Sequence, residues 1–307
     1  MIKSRGSRMN KSFSRIALVG KVEDARVADS LALLAAHLLA RGLAVAISRD
    51  MDLAGLPQGL DRRPVRELGQ DADLIVAIGG DGTMLFAAQL ALARNVPLLG
   101  VNRGRLGFLT DVLPDEMIAS VDAVLEGRYE TDRRDLLAAT LAQADATSVT
   151  GRGLNDVVAQ RQESGRMVEL EVRIDGSFVN THGGDGLVVA SSTGSTAYAL
   201  SCGGPIIHPA LGAVVIAPIS PHTLSDRPIV VQRECRIEIR LVARSGARAQ
   251  VTCDGVRLGD LEAGARLEIG PAAERITLLH PKGHDYFRLL RSKLHWGRSG
   301  RTDSEEY

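Results

Sequence analysis

Two hydrophobic rhythms divide the chain. From residue 15 to about residue 134, short continuous apolar runs alternate with stretches whose apolar positions fall three and four residues apart. Ile16–Val19, Leu43–Ile47, Leu74–Ile78 and Pro97–Val101 read as strands buried on both faces. Ala28, Leu31, Leu34, Ala35, Leu38 and Leu39 trace one face of a helix that Gly42 ends. Met84–Leu90 also has helical character, and a further helix fits Asp115–Leu125, closed by Gly127. Buried strands alternating with helices predict an α/β domain whose parallel sheet is covered on both sides. Ligands of such sheets sit at the carboxyl ends of the strands.

Beyond Arg134 the period becomes two. Val168, Leu170, Val172 and Ile174 alternate with Glu169, Glu171, Arg173 and Asp175, and Asp175-Gly176 marks a hairpin turn. Cys235, Ile237, Ile239 and Leu241 repeat the pattern up to Ser245-Gly246, and Ala247, Ala249, Val251 and Cys253 carry it to Asp254-Gly255. A β-rich, sandwich-like second domain is expected. Tyr286–Leu294 is helical again and is expected to return to the first domain. The predicted boundaries are a tail at 1–14, the α/β domain at 15–134, the β-rich domain at 135–284, and a C-terminal helix with its tail at 285–307. No internal repeat is present.

Composition narrows the function classes. A chain of 307 residues suits two domains and a large core. A formal net charge of +0 gives no global attraction to nucleic acid or to an acidic membrane. Aromatic residues at 3% argue against a stacking platform for single strands. Cys202, Cys235 and Cys253 are too scattered for a disulfide framework or a zinc site, which suits the cytoplasm. No apolar run is long enough to span a membrane. The first residues are basic (Lys3, Arg5, Arg8, Lys11) and lack the apolar core of a secretory signal. They read as a disordered tail, or as an upstream start before Met9.

Chemistry concentrates in three segments. The first is Gly79-Gly80-Asp81-Gly82-Thr83, which follows the strand Leu74–Ile78 and opens onto a helix. Glycines let the backbone approach a ligand closely, and free N–H groups at a helix start suit phosphate. A carboxylate in such a loop would repel phosphate unless a cation bridges them or a proton is to be taken. Asp81 therefore points to phosphoryl transfer, as base or as an indirect metal anchor. The simpler reading is that Asp81 caps the helix. The second segment runs from Gly184-Asp185-Gly186 through the strand Leu187–Ala190 to Ser191–Ser195, with helix from Ala197. Its hydroxyls and N–H groups suit phosphate or ribose, and Tyr198 can pack on a base. A hydroxyl helix cap with a core tyrosine is the simpler reading. The third is Asn155-Asp156 at the head of a strand, able to read an adenine edge and hold ribose hydroxyls. An Asx turn is its commoner use.

Other chemistries recede. The chain has no Gly-x4-Gly-Lys-Ser/Thr, no Gly-x-Gly-x-x-Gly after the first strand and no Gly-x-Ser-x-Gly. His280 and His284 have helical spacing, but Pro281 and Gly283 between them oppose a helix, so no zinc pair is expected and no metal ligand is assigned.

The ordered set resembles the NAD kinase family. It comprises Gly79–Thr83, Asn155-Asp156, Asp185–Tyr198, Pro221–Pro228, Cys253-Asp254-Gly255 and Leu289–Trp296. The glycine–Asp turn alone is shared with lipid kinases and phosphofructokinases; the full set is far more specific. The resemblance implies transfer of the γ-phosphoryl of ATP to the 2′-hydroxyl of the adenosine ribose of NAD, giving NADP. It implies that residues 15–134 bind nucleotide and 135–284 the dinucleotide, with the site between them. Asp81 would be the base, with Gly79, Gly80, Gly82 and Thr83 around the nucleotide and substrate. Asn155 and Asp156 would bind the adenosine half. Arg166 and Asp185 would sit around the dinucleotide, and Thr196, Ala197, Tyr198, Ala199, Leu200 and Ser201 would line its pocket. Magnesium or another divalent cation would accompany ATP, and the protein would form a homo-oligomer. The alternatives are a lipid or small-molecule kinase sharing the turn, and a non-catalytic module that senses NAD(P).

Three positions depart from the family pattern. Relatives often carry arginine where this chain has Gly183, so some phosphorylation of NADH is expected. Relatives tend to read Cys-Asp-x-Gln where this chain has Val256, and no substrate contact is carried onto that residue. Ser191-Ser192 replaces a common Thr-Pro, which alters loop stiffness more than chemistry.

Overall fold

The computed structural model describes residues 13–20, 24–51, 53, 55–103, 107–162, 167–242 and 248–295. The chain divides into two compact units, one formed by 1–132 with 277–307 and the other by 133–276. Arg166, the Ser245-Gly246 turn, Trp296 and nearly all of the basic tail lie outside the described residues.

In the first unit the strands Leu98–Asn102, Leu74–Gly79, Arg15–Gly20, Ala44–Ser48 and Asp61–Arg63 lie side by side in that order, all parallel. Alternation along each strand decides which helix it meets. Ile16, Leu18, Leu74, Val76 and Ile78 share a core with the helices Ala25–Ala40 and Met117–Leu125. Ile75 and Ala77 point the other way and are also fully buried. The helix Asp81–Ala91 packs on the same strand through buried Met84, Ala87, Ala88 and Ala91. Because both faces are covered, the central strands carry apolar residues at every position. Asp24 caps the first helix by accepting from Arg26 N. The helix expected at Asp115 starts instead as a short 3-10 turn, Pro114–Glu116, before the α-helix Met117–Leu125. The C-terminal helix Tyr286–Leu294 belongs to this unit, buries Leu289 and Leu290, and is capped by Asp285 through Phe287 N.

The second unit is a sandwich of two antiparallel sheets. One sheet runs Ile229–Gln232, Ala213–Ile219, Gly186–Ser191, Asp156–Arg161, Ala249–Cys253 and Val256–Leu261. The other sets Ser177–Gly184, Val168–Ile174, Ile237–Leu241 and Arg266–Pro281 in order. Leu187, Val189, Val157 and Val251 meet Leu170, Val172, Ile239 and Leu267 in one core. Val188, Ala190, Val158 and Val215 pack on the opposite face with Ala199 and Ile207. That second layer explains why 187–190 is apolar throughout rather than alternating.

Candidate active site

In the first unit the strand Leu74–Gly79 is buried along its whole length and ends in the glycine turn. Gly80 takes the cap position of the helix, and Asp81 is the first helical residue, with no side-chain cap bond. The capping explanation of Asp81 therefore fails. Its carboxylate instead reaches across to a neighbouring loop, where Oδ2 accepts from Phe108 N at 2.9 Å and Oδ1 from Leu109 N at 3.0 Å. A Cβ added at Gly107 would collide with Asp81 Oδ1 and Thr110 Oγ1, so only glycine lets the loop come this close. A carboxylate offers about four lone-pair sites, so two remain for a ligand. Among the described residues, nothing lies within 4 Å of a Cβ added at Gly80 or Gly82, whereas Gly79 and Thr83 are buried beneath the turn. The arrangement aims an oriented carboxylate and open backbone at the carboxyl end of a parallel sheet.

In the second unit, the Asn155-Asp156 corner is built around Asp254. This carboxylate accepts from Leu154 N at 2.7 Å, Asn155 N at 2.8 Å and Asp156 N at 3.1 Å. Asp254 itself lies at positive φ in the Asp254-Gly255 hairpin turn, which points its side chain at those three amides. Burial raises the pKa of Asp254, and the amides oppose that by stabilising the charged form. Asp156 is pushed up to about 7, first by its own burial and then by the negative charge of Asp254. The corner thus sets two buried carboxylates side by side and leaves Asp156 close to its titration point at neutral pH.

The turn after Gly186–Ser191 is stitched to the same corner. Ser191 N donates to Asn155 O at 2.8 Å, and Ser191 Oγ donates to Leu154 O at 2.5 Å. A Cβ at Gly194 would overlap the Asn155 carbonyl. Ser195 is fully buried, and its hydroxyl bridges Ser192 O and Ile207 N, so it holds the turn and is closed to ligands. The helix expected from Ala197 is a single turn, Tyr198–Ser201, preceded by the 3-10 turn Gly194–Thr196. Within it Tyr198 and Ser201 are exposed, Thr196, Ala197 and Leu200 are half-buried, and Ala199 is fully buried. Burial raises the Tyr198 hydroxyl pKa, and Cys202, Asp185 and Asp156 add to this. Asp185 Oδ1 accepts from Arg161 Nε at 2.5 Å. Gly183 lies two residues earlier in the strand Ser177–Gly184, where, among the described residues, an added Cβ would meet only Met167 Sδ at 3.8 Å. Asp226, from the Pro221–Pro228 segment, accepts from Asn180 Nδ2 at 2.9 Å and faces His182 Nδ1 at 3.1 Å.

Sequence reasoning assigned no role to Asp254 or Arg161, although Asp254-Gly255 was visible as a turn. It also set aside the histidine pair. His280 Nδ1 and His284 Nδ1 both lie against Asp111 Oδ2, at 2.8 and 2.7 Å, with the two rings stacked 3.9 Å apart. Helical spacing was the wrong test, because a turn joins the two residues and a distant loop supplies their partner.

Models of two protein families match the chain: the N-terminal domain of ATP-NAD kinase at residues 59–129 and its C-terminal domain at 154–280. The NAD kinase of Methylococcus capsulatus is 44% identical over 94% of this chain and 99% of its own length. That of Nitrosospira multiformis is 45% identical over 94% and 97%. Among solved structures, yeast NADH kinase complexed with NADH superposes with a TM-score of 0.86 at 25% identity, covering 98% of this chain and 94% of that one. The Archaeoglobus fulgidus NAD kinase in complex with ATP gives 0.68 at 28% identity, covering 92% and 98%. With both domain models matched in order and such relatives aligned along nearly their whole length, the chain belongs to the NAD kinase family.

Proposed function

We propose that the protein phosphorylates the 2′-hydroxyl of the adenosine ribose of NAD with ATP, giving NADP and ADP, with Asp81 as the base. The observation that carries this reading is the carboxylate of Asp81, fixed by the Phe108 and Leu109 amides beside open glycine backbone at a strand end. Asp81 takes the proton of the 2′-hydroxyl as that oxygen attacks the γ-phosphorus, and the bond to the bridging oxygen breaks, releasing ADP. In the second unit, Asn155 and Asp156 bind the adenosine, Asp185 lies beside the dinucleotide, and Tyr198 packs near the base. Arg161 holds Asp185 in place. A divalent cation carried on the ATP phosphates would supply charge neutralisation there. Asp81 is the acidic residue of the Gly79–Thr83 loop, and its remaining lone pairs fit that role as well. Homo-oligomerisation and a cytoplasmic location belong to the same reading. All three cysteines are free, and among the described residues no helix is long and apolar enough to cross a membrane.

Gly183 supports activity on NADH as well as NAD, because the position lacks the cation that many relatives place there. The deciding experiment is NADP formation from NAD, ATP and magnesium by the wild type and by Asp81→Asn. Product from the wild type alone supports the reading. Full activity in Asp81→Asn removes the base, and NAD binding without turnover in the wild type makes the chain a sensing module.

A further inference from the structure

The loop that holds Asp81 is itself held at its far end. Gly107 N donates to Thr110 O at 3.0 Å, Asn102 Nδ2 donates to Thr110 Oγ1 at 2.8 Å, and Asn102 N donates to Val112 O at 2.7 Å. Asp111, between the last two anchor points, turns its side chain the other way. Its Oδ2 faces Nδ1 of both His280 and His284. A carboxylate only accepts, so these contacts are hydrogen bonds in the tautomer that carries the proton on Nδ1 of each ring. His280 is almost fully buried, and its Nε2 faces Asp132 Oδ2 at 3.6 Å. Stacked rings converging on one oxygen form a clasp between the end of the strand Arg266–Pro281, the start of the C-terminal helix and the 107–112 loop.

We infer that Asp111, His280 and His284 are positioning residues for Asp81: their clasp fixes the backbone of residues 107–110, whose amides orient the reacting carboxylate. The inference rests on the reading of Asp81 as the base. The clasp touches no reacting atom and works through three residues of backbone. Its three ligand atoms lie within 4.8 Å of one another, a spacing that a cation could bridge. At 2.8 and 2.7 Å the two nitrogen–oxygen separations are hydrogen-bond lengths, and the clasp is read as a pair of hydrogen bonds, with EDTA treatment as the check on a cation.

The test pairs kinetics with amide hydrogen exchange on the full chain. His284→Ala is expected to lower kcat roughly tenfold, the scale of a small misplacement of a reacting group. KM for NAD and ATP should move less than about twofold, since no substrate contact is lost. The Phe108 and Leu109 amides should exchange at least tenfold faster while circular dichroism and the protection of the central strands are kept. His284→Asn, whose amide nitrogen can take the place of Nδ1, should restore both readouts. In an Asp81→Asn background, His284→Ala should change the residual rate less than twofold.

Unchanged protection of the two amides in His284→Ala overturns the clasp. A full tenfold further loss in the Asp81→Asn background overturns its action through Asp81. Faster exchange of these amides in wild-type protein treated with EDTA overturns it in favour of a bound cation. The exchange readout does not depend on Asp81 being the base. An active Asp81→Asn would therefore refute that assignment separately.

Discussion

Replacing Asp156 by Asn should stabilise the protein at neutral and alkaline pH while weakening its hold on NAD. The Asp156 carboxyl rises from 3.8 to about 7, chiefly through burial and then through the charge of Asp254. Each tenfold change in proton affinity is worth about 1.4 kcal/mol, so the ionised form costs the native state up to about 4 kcal/mol. The sign follows from linkage: the folded protein holds this proton more tightly than the unfolded chain. The associated stability is complete below about pH 4 and is lost as pH rises through about 7. An Asn side chain has no such dependence. The gap between the variant and wild type should therefore widen in the variant's favour by about 2.5 kcal/mol from about pH 5 to about pH 8.5. Denaturant unfolding of the two proteins across that range reads it directly. The same substitution should raise KM for NAD roughly tenfold, because an amide presents one acceptor oxygen to the ribose hydroxyls where a carboxylate presents two. A stability gap that stays constant with pH would refute the reasoning. It would mean that Asp156 ionises as readily folded as unfolded.

Three further outcomes follow from the geometry. Gly107→Ala forces its methyl group against Asp81 Oδ1, and kcat should fall about ten- to a hundredfold with the fold intact, as checked by steady-state kinetics and circular dichroism. Asp254→Ala strips the acceptor from three backbone amides, and denaturant titration should show a loss of about 3 kcal/mol or more. Gly183→Arg has room for its Cβ among the described residues and should shift the ratio of NAD to NADH phosphorylation toward NAD at least severalfold, measured with both substrates at equal concentration. An unchanged ratio would detach Gly183 from that choice.

The apolar rhythm by itself determined the strands Arg15–Gly20, Ala44–Ser48, Leu74–Gly79 and Leu98–Asn102 and the first helix, because a strand covered on both faces must be apolar throughout. It also placed Asp81 at a strand end. Polar strands such as Asp61–Arg63 left no such mark, since an edge strand needs only a partner for its backbone. The chemistry of the corners was decided by tertiary structure alone. Phe108 and Leu109 orient Asp81 through backbone N–H groups, which every non-proline residue has and no side-chain pattern advertises. Asp254 meets Leu154 across 100 residues of chain, and His280 meets Asp111 across 169. Periodicity reports which face of an element is buried. It carries nothing about which loop arrives opposite, because that depends on the packing of every element in between.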